Sequence, residues 1–144
     1  MHFYNRQSPR ISDTGSNPLV IDMRAASECN RAFRTALWTG DYLQCTLMQI
    51  NPNSDVGTEI HPHTDQYITV SEGCGRVFIG ESRESMHFCR QISAGYGIFI
   101  PAGCWHNIVN IERVPMKLIS IYAPPHHPQG TVHKTKKDAI DAEK

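Results

Sequence analysis

Short apolar runs recur along most of the chain, with the spacing of strands rather than helices. Ala36-Leu37-Trp38 leads through the turn residues Thr39-Gly40-Asp41 into a second run over 42–50. There Leu43, Cys45 and Leu47 alternate only imperfectly with Gln44, Thr46 and Gln49. Imperfect alternation suits a strand covered on both faces, because neither face has to be polar. Pro52-Asn53-Ser54-Asp55 is a turn cluster. Further runs follow at Tyr67-Ile68-Thr69-Val70, Arg76-Val77-Phe78-Ile79, Gly97-Ile98-Phe99-Ile100, 106–111 and 116–122. Gly73, Gly75, Gly80, Gly95 and Pro101-Ala102-Gly103 separate them. Short strands at near-regular spacing with Gly and Pro turns predict an all-β sandwich or barrel.

The ends of the chain read differently. Residues 1–16 are polar, carry Pro9 and Gly15, and predict a flexible arm with no packed structure of its own. Asn17-Pro18 leads into Leu19-Val20-Ile21, which predicts a short strand, and 25–34 predict a helical turn or two with Ser27 or Asn30 as a cap. The tail over 134–144 is charged and predicts a short helix that frays. The expected organisation is an arm over 1–16, one barrel domain over 17–133 and a tail over 134–144.

Composition narrows the class. At roughly 100–200 residues per domain, 144 residues make one domain. Lys+Arg and Asp+Glu are 14 each, so the net charge is zero. A nucleic-acid partner would call for a basic excess on one face, and none is expected here. No apolar run approaches the roughly 18 residues of a membrane span. The first residues, Met1-His2-Phe3-Tyr4-Asn5-Arg6, have no apolar core of a secretion signal, so a cytoplasmic location is expected. The five cysteines are odd in number and none is paired at Cys-x-x-Cys spacing, which predicts reduced thiols. Of the eight histidines, six fall at 61/63, 106 and 126/127/133.

Two segments carry the candidate chemistry. One reads Gly95-x5-Pro101-x-Gly103-x2-His106-x3-Asn110. The other runs from Gly57 through Glu59, His61, His63 and Gln66 to Gly73. Together they resemble the two motifs of the cupin superfamily, G-x5-H-x-H-x3–4-E-x6-G and G-x5-P-x-G-x2-H-x3-N. The second motif is matched at every defined position. The first keeps its end, with Gln66 in place of glutamate. The wider chain is similar to small single-domain bacterial cupins, some described as mannose-6-phosphate-isomerase-like. The resemblance implies a double-stranded β-helix, the jelly-roll barrel of cupins, with a site near one mouth.

The resemblance also implies a metal site, and its register matters. Taking His61 and His63 as the paired ligands leaves one residue too few before Gln66. Taking Glu59 and His61 as the pair leaves four, which fits, and residues 59 and 61 of a strand share a face. The candidate ligands are then Glu59, His61, Gln66 and His106, with His63 as the alternative ligand or a pocket-lining residue. Two nitrogens and two oxygens make a harder set than three histidines and a glutamate. Such a set leans toward Fe, Mn or Ni as the divalent ion, with a tetrahedral Zn site as another solution. A barrel that has lost its metal and binds ligands by hydrogen bonds is the competing reading of Gln66.

Two functions remain open at this point. One is a metal-dependent enzyme acting on a small polar substrate, by sugar or sugar-phosphate isomerisation or by dioxygenation of a chelating substrate. The other is a non-catalytic module that binds a small ligand. Arg76 and Arg90 are the cations nearest the motifs, His126, His127 and His133 read as part of a proline-stiffened connector, and Tyr122 ends a strand. The apolar character of 19–21 and 33–38 predicts a homodimer that covers a sheet edge or face.

Overall fold

A computed structural model describes residues 8–143. A helix α1 (Met23–Cys29) precedes eight strands, β1 (Arg34–Thr39), β2 (Gln44–Ile50), β3 (Asp65–Glu72), β4 (Cys74–Gly80), β5 (Phe88–Ser93), β6 (Gly97–Ile100), β7 (Trp105–Asn110) and β8 (Met116–Ala123). A two-residue β9 (Val132–His133) and a helix α2 (Lys136–Ala142) follow. The strands form two antiparallel sheets, ordered β6-β3-β8-β2-β1-β9 and β5-β4-β7. This is the predicted all-β double-stranded β-helix with its short C-terminal helix. No helix among the described residues is long and apolar enough to cross a membrane.

The inner faces of the two sheets share one apolar core that includes Met48, Ile50, Val70, Val77, Ile108 and Leu118. A second cluster lies on the outer face of the larger sheet. There Ala26 of α1 packs with Leu37, Cys45 and Leu47, and Ile11 and Ile21 reach it from the N-terminal segment. Both faces of β2 are therefore covered, which is why its apolar pattern does not alternate cleanly.

Residues 9–16 run along the barrel. Thr14 N donates to Leu37 O, and Thr39 N donates to Gly15 O. The Asp13 carboxylate accepts from Thr39 Oγ1 at 2.7 Å and from Gly130 N at 2.8 Å.

Two local expectations change. Leu19-Val20-Ile21 is not a strand. Both edges of β1 are already taken, by β2 and β9, so this segment has no free partner there. The helix begins at Met23, two residues before the expected start, because Asp22 caps it by accepting from Ala25 N. Asn30 is the C-cap, and the buried Lys117 ammonium accepts the role of donor to the Asn30 carbonyl just beyond the last turn. Neither β5 nor β9 was visible in the sequence pattern. In β5 only Ile92 is fully buried, so an edge strand left largely in solvent carries no periodic signal.

Candidate metal centre

The segment 55–61 positions the site. It leaves the turn after β2 and lies along the open edge of β7, bridging at Asp55–Val109 and at Glu59–His106. Glu59 N donates to His106 O at 3.0 Å, and His106 N donates to Glu59 O at 2.9 Å. Residues that exchange both backbone bonds in an antiparallel pair project their side chains from the same face. His61, two residues on, shares that face. Gly103 N donates to His61 O, and the positive φ of Gly103 (82°) permits this turn without a Cβ penalty. Asn107 holds the segment from below, accepting from Gly57 N and donating to the Asp55 carboxylate. Asn110, the last defined residue of the second motif, donates to the carbonyls of Ile50, Asn51 and Val114. Its role is to fix the loops, not to touch a ligand.

Three donor groups converge as a result. Glu59, His61 and His106 offer ligand atoms that all lie within 4.8 Å of one another. Glu59 Oε1 stands 3.4 Å from His61 Nε2 and 3.6 Å from His106 Nε2. Ligand atoms bound about 2.1 Å from one ion stand about 3.0–3.4 Å apart, close to this spacing. Glu59 Oε1 and both Nε2 atoms are buried and lack a hydrogen-bond partner. Buried polar atoms without partners are costly, and a cation at their centre satisfies all three. The His106 Nδ1 atom lies 3.1 Å from Cys104 O. A carbonyl only accepts, so Nδ1 donates to it, which orients the ring and leaves Nε2 as the atom it presents to the cluster. Burial alone would raise the Glu59 carboxyl. Contact with His106 and His61 and the charge of Arg34 outweigh that and hold it well below the usual carboxylate range. The ligand set is thus two imidazole nitrogens and one ionised carboxylate oxygen.

Gln66 sits on β3, inward and buried, with Nε2 donating to Ser120 Oγ at 2.8 Å. That bond fixes the amide, and its Oε1 is left buried and without a partner. His63 is exposed in the Pro62-His63 turn, outside the cluster of donors. The turn carries its side chain away from the face that Glu59 and His61 share.

Sequence reasoning missed four residues around the site. The ring of His126 lies 4.0 Å from that of His61. His127 contacts the fully buried Tyr122, Nε2 to hydroxyl at 3.3 Å. Burial first, then the charge of Arg34, pull the His127 ring down to about 3, so it is neutral at ordinary pH. Both histidines are held by Gln44, whose Oε1 accepts their backbone N–H groups. Arg34, on β1, is also buried, with Nη1 3.2 Å from His133 Nδ1. The available signal for Arg34 was a cation inside the apolar run Phe33-Arg34-Thr35-Ala36-Leu37. Arg76 is exposed on β4 and Arg90 on β5, both in the smaller sheet.

The chain belongs to the cupin family: the cupin domain pattern matches residues 46–122. It is 45% identical over 140 residues to the uncharacterised protein YrkC of Bacillus subtilis, covering 97% of this chain and 75% of that protein. The crystal structure of BH2720 from Bacillus halodurans superposes with a TM-score of 0.90 at 50% identity, over 91% of this chain and 99% of that one. A protein with a double-stranded β-helix domain from Klebsiella pneumoniae matches with a TM-score of 0.58 at 17% identity, over 73% of this chain and 86% of that one. That last likeness shows the fold alone. Neither relative named by sequence or close structure carries a reaction in its description, so the chemistry has to come from the site.

Proposed function

We propose that this chain is a divalent-metal cupin that binds a small polar molecule at the barrel mouth and acts on it there. The convergence of Glu59, His61 and His106, with three buried donor atoms lacking partners, carries this reading. Gln66 Oε1 is the candidate fourth donor. When bound, a divalent ion supplies Lewis-acid polarisation of a carbonyl or hydroxyl oxygen. The protein's part is positional. The 55–61 segment and β7 fix the ligand set, and Ser120 orients the Gln66 amide. A cavity of about 320 Å³ is lined by Glu59, His61 and His126 together with Arg83 and Trp105. A volume in the range of small-molecule sites leaves room for a ligand beside the ion.

The deciding experiment is metal analysis of purified protein after exposure to Fe, Mn, Ni and Zn in turn. Near-stoichiometric binding of one of them is expected, lost in both His61→Ala and His106→Ala. Wild-type protein that retains none of the four overturns the reading in favour of a metal-free binding barrel.

We further infer a homodimer through the outer face of the larger sheet. Leu19, Ile21, Trp38, Leu43 and Ile121 line an apolar depression there, and Phe99 is exposed on the same sheet. With zero net charge, two copies meet without long-range repulsion. A monomer mass by light scattering at working concentration refutes it.

A further inference from the structure

Arg34 is the largest side chain that the fold buries almost completely, at 2% exposure. A guanidinium offers five N–H donors and stays charged. Among the described residues its one side-chain hydrogen-bonding contact is with His133, and Nε is buried without a partner. The Phe33 ring centroid lies 5.4 Å from its guanidinium carbon. Among the described residues the ion pairs join Arg24 to Glu28, Lys136 to Asp55, Lys137 to Asp141, and Glu59 to its two histidines. No carboxylate among them is in contact with Arg34. A buried cation lacking a counter-charge in contact is expensive, and it makes a ready anchor for an anion that arrives from outside.

The space for that anion exists. A cavity of about 220 Å³ is lined by Arg34 and Glu59 together with Phe33, Gly57, Thr58 and Lys136. At about 30 Å³ per water, it holds roughly seven water volumes. Residues of α2 also line it, with Ala139 packed into the core. Thr58, Glu59 and Glu143 line both this cavity and the one beside His61 and His126, so the two adjoin at Glu59. One small molecule can therefore reach the guanidinium with one end and the metal ligands with the other. The field of Arg34 is felt by Glu59, Tyr122, His126, His127 and His133 alike, which makes it the positive centre of the interior.

We propose that Arg34 selects the substrate by gripping its oxyanion group, a carboxylate or a phosphate, while the rest of the molecule extends to the Glu59–His61–His106 centre. The proposal rests on the metal reading for its second point of attachment, but the anion grip itself does not need the metal. The guanidinium fork matches the two oxygens of either group, where a point charge would hold them without fixing orientation. Arg34 is thus a specificity-determining residue rather than a strut between β1 and β9.

The test is a thermal-shift series on the full chain, stripped of metal and desalted, then repeated with Mn restored. The probes are malonate, inorganic phosphate and the neutral malonamide. An anion that binds the native state raises the melting temperature. Malonate or phosphate is expected to do so and malonamide not, and the stronger of the two identifies the oxyanion. Arg34→Gln is expected to lose the shift and Arg34→Lys to keep only part of it, with metal content unchanged in both. A wild-type protein that is folded yet indifferent to both anions overturns the proposal, as does an undiminished shift in Arg34→Gln. Should Arg34→Gln fail to fold, an undiminished shift in Arg34→Lys overturns it instead. An anion response in protein that never takes up metal would leave the grip standing and remove only the metal reading.

Discussion

The two ends of the barrel interior are built on the same strands and follow opposite rules. Along β8 the inward positions read Met116, Leu118, Ser120 and Tyr122, all buried. β2 runs antiparallel beside it, and the register sets Ile50 against Met116, Met48 against Leu118, Thr46 against Ser120 and Gln44 against Tyr122. β3 repeats the change, with Val70 opposite Leu118 and Gln66 opposite Tyr122. The switch from apolar to polar thus falls at the same level on β8 and β2 and one inward pair later on β3, where Ile68 still stands opposite Ser120. In one half, side chains satisfy one another by close packing. In the other, Glu59 Oε1, His61 Nε2, Gln66 Oε1, His106 Nε2 and Arg34 Nε are buried without partners. The first half is complete in itself, whereas the second leaves buried donors and acceptors without partners.

Substitutions in the two halves should separate stability from binding. The largest effect belongs to Leu118→Ala in the apolar half. Deleting a fully buried leucine costs about 2–5 kcal/mol. Calorimetry should show the fall in melting temperature, while metal bound per folded molecule stays the same. In the polar half, His106→Ala should weaken metal binding by more than about 100-fold, beyond the loss caused by removing an outer-shell partner. Its metal-depleted form should melt well above that of Leu118→Ala. If the order of melting temperatures reverses, the polar half also carries the fold.

A third contrast uses pH. His127 is neutral in the folded chain down to about 3 and takes up a proton near 6.5 when unfolded. The unfolded state binds more protons between those values, so stability is full above pH 6.5 and falls as pH drops through the window. The slope from this one group is at most about 1.4 kcal/mol per pH unit. His127→Gln should flatten it in denaturation curves recorded from pH 7 to 4. Leu118→Ala should shift the curves without changing their slope.

Gln66→Glu comes next. A second carboxylate beside Glu59 strengthens attraction for a dication, by about tenfold or more in affinity. In the metal-depleted protein the two carboxylates repel, so stability near neutral pH should drop until metal is restored. Equal metal-induced melting shifts in Gln66→Glu and wild type would show that residue 66 does not face the ion. The smallest effect is that of His63→Ala. This exposed turn residue should change stability by no more than about 0.5 kcal/mol and leave metal content intact. Loss of metal in His63→Ala together with its retention in Glu59→Gln would make 61 and 63 the ligand pair.

Local features were legible and distant convergence was not. The strand 97–100 could be read to the residue, because Gly95 and Pro101 bracket it. Glu59 and His61 could be paired by counting back from Gln66, since two residues on one strand share a face. Nothing local brings His126 onto His61, or His133 onto Arg34. The first depends on how the chain leaves β8, and the second on β9 returning to β1. The histidines at 126, 127 and 133 read as a connector because their partners lie far away in sequence. The segment 19–21 misled for a related reason: its β-branched composition is suited to a strand, but pairing requires an edge, and the edge had been filled from the other end of the chain.

That return has a kinetic side. Arg34 meets His133 across 99 positions of the chain, and β9 joins β1 through only two residue pairs. The entropy of closing so long a loop must be met before so short a pairing gives anything back. The apolar half, by contrast, is tied by seven consecutive pairs between β2 and β8. Docking of β9 and α2 over Arg34 is therefore expected to come late in folding and to reverse early. Amide exchange at 132–133 should run well ahead of exchange in β2 and β8, through openings that expose Arg34 while the barrel stays folded.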